Sequence, residues 1–101
     1  MKALAPIPFT PGQTQVQVPR DAKPVGVAIK DASVVLLAEI NPITADAIAK
    51  VTWLIHGVTV GTLVSIPDKA EYAGVASVPL PDGGMVAVAA YVEANPILLP
   101  S

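Results

Sequence analysis

An all-β fold, a small antiparallel β-sandwich or barrel with extended Pro-rich apolar termini, is what this sequence predicts, and three observations carry the prediction. Polar and apolar residues alternate with period two in several segments, as in Thr14-Gln15-Val16-Gln17-Val18 and Val25-Gly26-Val27-Ala28-Ile29. Turn-forming Pro, Gly and Asp recur at roughly ten-residue intervals, the spacing of short strands in sandwiches and barrels. The chain of 101 residues is 52% apolar, enough for one modest core in a single domain.

Taken in order, residues 1–13 read as an N-terminal extended arm, because Pro6, Pro8 and Pro11 exclude them from any strand except one at an edge. Residues 14–18 form a half-buried strand, and residues 19–24 a charged turn bounded by Pro19 and Pro24. Val25, Val27 and Ile29 share one face of the next strand. Asp31-Ala32 then makes a tight connection, without the glycine that two-residue hairpins favour. The unbroken apolar run of residues 33–40 fits a strand covered on both faces. Asn41-Pro42 ends it, and Ile43, Ala47 and Ile48 allow one or two helical turns.

Residues 50–56 are the next strand, with Val51, Trp53 and Ile55 on one face. Gly57 and Gly61 bracket Val58-Thr59-Val60, and with residues 62–66 this segment reads either as a hairpin or as a long loop containing some strand. A solvated loop over 67–71 leads to a strand over 72–78 with Gly74 as a bulge. Pro81-Asp82-Gly83-Gly84 is a turn, and Met85 begins the last strand, which ends at Glu93. The organisation is thus one β domain over 14–93, flanked by arms over 1–13 and 94–101. Its core is expected from Val16, Val18, Val27, Ile29, Val35, Leu37, Trp53, Ile55, Val75, Val86 and Val88, with Trp53 the largest anchor.

Composition excludes several function classes. Lys2, Arg20, Lys23, Lys30, Lys50 and Lys69 are dispersed and the net charge is −2, so there is no basic face for phosphate. Phe9, Trp53, Tyr72 and Tyr91 make a poor platform for stacking bases, and nucleic acid is not an expected partner. The absence of cysteine removes a disulfide frame and thiolate metal sites. The longest uncharged stretch, residues 51–67, is shorter than the roughly 20 residues of a spanning helix and is rich in Thr and Gly, so no membrane partner is expected. Pro6, Pro8 and Pro11 break the apolar stretch after Lys2 that a signal peptide would need.

Motifs for chemistry are sparse. His56 is the sole histidine, with no orienting carboxylate near it in sequence, and reads as a structural or surface side chain that the protein can do without. Asp68 and Glu71 lack the Asp-x-Asp-x-Asp-Gly pattern of a cation loop and read as a solvated face. Gly57-Val58-Thr59-Val60-Gly61-Thr62 has no Lys-Ser/Thr after its second glycine, so it is no phosphate loop. Ser33, Ser65, Ser77 and Ser101 lie outside any Gly-x-Ser-x-Gly elbow. No catalytic residue, cofactor or metal ligand is expected, and the protein is not expected to be an enzyme.

The order of motifs resembles a family of small, uncharacterised, β-rich proteins encoded by phages. Its carriers are Val16-Gln17-Val18-Pro19, the strand over 22–29, Leu36-Leu37-Ala38-Glu39-Ile40, the segment over 53–61, Glu71-Tyr72-Ala73-Gly74-Val75, and a last strand ending in Tyr91-Val92-Glu93. The resemblance covers about residues 14–93. The chain differs from the family pattern near Leu37, where a Trp is expected, and near Ala89-Ala90, where a Trp-His pair is expected. The resemblance implies phage origin and carries no activity with it.

Together with the all-β domain and the Ala/Val-rich composition, the apolar ends point to a bacteriophage virion structural protein. The expected role is a capsid decoration (cement) protein that stabilises the head through its termini, with a tail or neck component or a small effector that inhibits a host protein as alternatives. Leu4, Ile7, Phe9, Ile97, Leu98 and Leu99 are the expected partner-binding residues, ordered against neighbouring subunits. The expected partners are the major capsid protein and further copies of the chain, and the expected location is the virion, after synthesis in the host cytoplasm.

Overall fold

Period-two alternation becomes strand wherever a proline- or glycine-bearing turn bounds it. In the computed structural model, which describes residues 1–94, seven strands result. They are β1 (Ala3–Pro8), β2 (Gly12–Pro19), β3 (Lys23–Lys30), β4 (Ser33–Ile40), β5 (Lys50–Thr59), β6 (Glu71–Pro79) and β7 (Met85–Ala94). They form two antiparallel sheets, a three-stranded one in the order β1-β4-β3 and a four-stranded one in the order β2-β5-β7-β6. The expected all-β class is what the chain adopts, as a sandwich of these two sheets.

The core lies between them. From the three-stranded sheet it takes Val34, Leu36 and Ala38, and from the four-stranded sheet Val18, Trp53, Ile55, Val88, Ala90 and Val92. Leu36 and Ile55 are wholly buried. The expected core members Val18, Trp53, Ile55 and Val88 are buried in it, Val35 is buried on the outer side of β4, and Val16, Val27 and Val86 pack against the cluster half-buried.

Three more expected core members lie elsewhere. Leu37 is half-buried and its neighbour Leu36 takes the core position, because in an unbroken apolar run the partner strands choose the face: Leu36 stands opposite Ile7 and Val27. Val75 is 48% exposed, because the register shifts between Tyr72 and Gly74. That shift sets Val75 opposite Ala89 on the outer side and turns Ala76 and Val78 inward. Ile29 shares the side of Val34 but is 38% exposed, lying next to the hairpin at the end of its strand. Nor do the three residues Val25, Val27 and Ile29 share one face, since Val25 occupies a second bulge, between Pro24 and Gly26.

The N-terminal boundary also moves. Residues 1–13 are not an arm outside the domain: β1 is the edge strand paired to β4, Ile7 packs against the core, and Phe9 is 4% exposed within it. Proline permits this because the strand lies at an edge. Ile97, Leu98 and Leu99, with the rest of the expected arm beyond Ala94, lie outside the described residues.

Connections follow local chemistry. Asp31 and Ala32 close the β3–β4 hairpin with positive φ of 52° and 62°. The 41–49 link holds hydrogen-bonded turns rather than helix, opened by Ile43 N–H donating to Asn41 Oδ1 at 3.0 Å. In the β6–β7 hairpin, Gly84 N–H donates to Asp82 Oδ1 at 2.8 Å. Residues 60–70 form a long loop rather than a hairpin. Among the described residues, no helix is long and apolar enough to cross a membrane.

Candidate functional site

Two outer surfaces of the sandwich hold what site-like chemistry the described residues offer. On the four-stranded sheet, β5 directs Trp53 and Ile55 inward, so His56 between Ile55 and Gly57 points outward. Pairing sets His56 opposite Tyr91 and Leu54 opposite Glu93, which makes His56 and Glu93 diagonal neighbours on that outer side. His56 Nε2 lies 3.3 Å from Glu93 Oε1, and because a carboxylate only accepts, the ring N–H is the donor. The side chains are 7% and 14% exposed, an unusual degree of burial for a histidine–carboxylate pair on the outside of a sheet.

The loop over 60–70 runs on the same side of the sheet as His56 and lines a groove with it. Strands β5 and β6 both pair antiparallel with β7, so they run parallel to each other, and the link between them must travel back the length of a strand. It returns as a strap, with Thr62, Val64 and Ser65 facing Gln13, His56 and Val58 across a groove of about 260 Å³. Close chain approach at the groove's inner end demands glycine: a methyl group at Gly57 would meet the Thr10 carbonyl oxygen and stand 3.1 Å from Phe9 Cδ2. Beside the pair, the Tyr72 and Tyr91 rings stack with centroids 5.4 Å apart, tilted by 59°.

Chemically, the pair is an imidazole oriented by a carboxylate, and Glu93 is its one side-chain hydrogen-bond partner among the described residues. Thr59, Thr62 and Ser65 line the same groove, and among the described residues none of their hydroxyls hydrogen-bonds the ring. The geometry is that of a polar pair satisfied under a strap. His56 is therefore a buried side chain and not a surface residue. The sequence reading missed Glu93, since strand pairing and not proximity in the chain brings it to His56. One signal was present: His56 interrupts the apolar run Trp53–Val58, and Glu93 is the one charged residue of β7.

The second surface is the outer side of the three-stranded sheet. There Leu4, Pro6 and Pro8 of β1 stand opposite Glu39, Leu37 and Val35 of β4, which in turn face Lys23, Gly26 and Ala28 of β3. Leu4 is 58% exposed and both prolines are exposed. The rim is charged, with Lys2 Nζ 3.2 Å from Glu39 Oε1. Of the expected partner-binding residues, Leu4 faces outward here, while Ile7 and Phe9 turn to the protein's own core. Asp68 and Glu71 are exposed.

Compared with known proteins, the chain matches no family model, no curated protein and no solved structure.

Proposed function

We propose that the protein is a structural subunit of an assembly, a bacteriophage virion component that decorates the head, and that it docks on the major capsid protein through the outer side of its three-stranded sheet. The observation that carries the docking is the apolar character of that side: Leu4, Pro6 and Pro8 are exposed beside Leu37 and Ala28, in a strand run with no alternation to keep one face polar. A sheet side of this kind is covered in most proteins by another layer, and here its chain supplies none among the described strands. The phage setting rests on the resemblance of residues 14–93, and with it the virion as location and the host cytoplasm as place of synthesis.

The test is recovery of the protein with purified virions. The parent chain is expected at fixed stoichiometry on intact heads, and Leu4→Asp with Pro6→Asp is expected to abolish that association. Both substitutions are on an exposed edge strand, and because Asp at position 4 stands opposite Glu39, thermal unfolding of the variant is measured beside the recovery so that loss of folding is told from loss of docking. Virions free of the protein, with early expression and capture on a host enzyme, would replace this reading by that of an inhibitor. Recovery on tails alone would move the subunit to the tail.

A further inference from the structure

Four strands lie at sheet edges, β1 and β3 in one sheet and β2 and β6 in the other. An edge offers a row of unpaired N–H and C=O groups, and proteins that stay apart blunt it with proline, charge or bulges. Three of these edges are blunted. The two-residue β3–β4 hairpin makes Lys30 and Ser33 a hydrogen-bonded pair, so alternate residues of β4, Leu36 and Ala38 among them, bond towards β1. Leu4, Pro6 and Pro8 therefore direct their backbone groups to the open side of β1, where the two prolines have no N–H to offer. Strand β3 carries Lys23, Pro24, a bulge and Lys30, and β6 carries a bulge and Pro79. These two edges also close on each other: Gly74, at φ +148°, has space for no side chain, since a methyl group there would stand 3.1 Å from Val27 N.

Strand β2 has neither charge nor bulge, and its one proline, Pro19, is its last residue. Between Pro11 and Pro19 it reads Gly12-Gln13-Thr14-Gln15-Val16-Gln17-Val18, without charge, proline or bulge. Its outward groups follow from one bond: Arg20 N–H donates to Ala49 O at 2.9 Å, continuing the β2–β5 register, so Val18, Val16 and Thr14 bond towards β5. Gln13, Gln15 and Gln17 then direct their N–H and C=O groups to the open side, and all three are exposed.

We propose that this edge pairs antiparallel with β2 of a second copy of the chain, with Gln15 of each copy at the two-fold axis. The sequence around Gln15 is self-complementary about that axis. Gln13 falls opposite the second copy's Gln17, Gln15 opposite Gln15, and Pro11 opposite Pro19, so prolines end the ladder at both sides. Every outward donor of the three glutamines meets an outward acceptor, amide side chains face amide side chains, and no like charges meet. The two four-stranded sheets become one continuous sheet. This interface is separate from the docking side of the three-stranded sheet and stands or falls without it.

Sedimentation of the full chain over a dilution series tests the pairing, and cysteine placement tests the register. A monomer–dimer equilibrium is expected for the parent. Gln15→Lys sets two ammonium groups against each other and should weaken the dimer at least about tenfold. Gln15→Pro deletes an N–H that β5 does not use and should do the same, both variants keeping the parent's circular dichroism. The chain has no cysteine, so Gln15→Cys places one thiol per copy on the axis, at the roughly 5.5 Å Cα separation that a disulfide accepts, and should oxidise to a covalent dimer. Gln13→Cys sets its thiols roughly 13 Å apart along the strands and should not. A parent that stays monomeric, a Gln15→Lys dimer as tight as the parent's, or cross-linking of Gln13→Cys in preference to Gln15→Cys would each overturn the proposal.

Discussion

In the four-stranded sheet the interior strand β5 carries His56 on its outer side, bonded to Glu93 of β7 and beside a groove that the 60–70 strap also lines. In the three-stranded sheet the interior strand β4 carries Val35 and Leu37 on its outer side, beside the exposed Pro6 and Pro8 of the edge strand. One sheet thus keeps a polar pair buried on its outer side, and the other exposes Leu4, Pro6 and Pro8 of its edge strand while Val35 on the interior strand stays buried. The difference follows from connectivity. Parallel placement of β5 and β6 forces a long return link across one outer side, whereas β3 and β4 join by a two-residue hairpin that covers nothing. Burial of polar groups is tolerated where the chain is compelled to cross, and apolar exposure persists where it is not.

The largest expected effect comes from breaking the core that the two sheets share. Trp53 is 3% exposed on β5 and lies in the cluster with Leu36 and Ala38 from the opposite sheet. Trp53→Ala should cost about 3–5 kcal/mol in urea denaturation, a large share of the stability of a domain this size. A loss under about 1 kcal/mol would mean that the sheets are held by the aliphatic positions alone, and that the comparison of their outer sides describes two weakly joined layers.

How much of this was legible beforehand depends on which physical rule decided each element. Alternation and turn chemistry placed six strands, the bulge at Gly74 and the turn at Asp82-Gly83, because each is written in a few adjacent residues. Strand β1 is not legible as a strand, since its prolines speak only against a central position and nothing local says that β4 will offer it an edge. The same limit hid the choice between Leu36 and Leu37, which partner strands make, and the meeting of His56 with Glu93, which lies 37 residues away. Of the apolar residues near the N-terminus, Leu4 is exposed as the sequence suggests, whereas Phe9 was not legible as core.

A smaller effect should come from the polar pair. Glu93→Leu leaves the buried imidazole without its acceptor and should cost about 1–3 kcal/mol, the penalty of an unsatisfied buried polar group. Replacing both residues, His56→Leu with Glu93→Leu, should recover most of that loss, since apolar groups of similar shape need no partner under the strap. The double-mutant cycle measures the pair directly. An additive result would show that His56 and Glu93 act independently, and that the strap, rather than the bond beneath it, sets the polar character of this side.

The smallest effect separates the two sheets through their hairpins. In the four-stranded sheet the β6–β7 turn spends a glycine on its left-handed position, Gly83 at φ 89°. In the three-stranded sheet the β3–β4 turn puts Asp31 and Ala32 there, at 52° and 62°. Aspartate tolerates this region better than alanine, for which it costs about 1–2 kcal/mol. Ala32→Gly relieves that cost but adds freedom to the unfolded chain worth about 0.5–1 kcal/mol, so the net gain expected is about 0.5–1 kcal/mol. Gly83→Ala runs the exchange in reverse and should lose about 0.5–1 kcal/mol. Thermal unfolding of the two variants side by side decides between the alternatives. Opposite signs would show that the β3–β4 turn is strained where the β6–β7 turn is relaxed. If Ala32→Gly instead lowers the midpoint, the rigidity of alanine in the unfolded chain outweighs its strain in the turn.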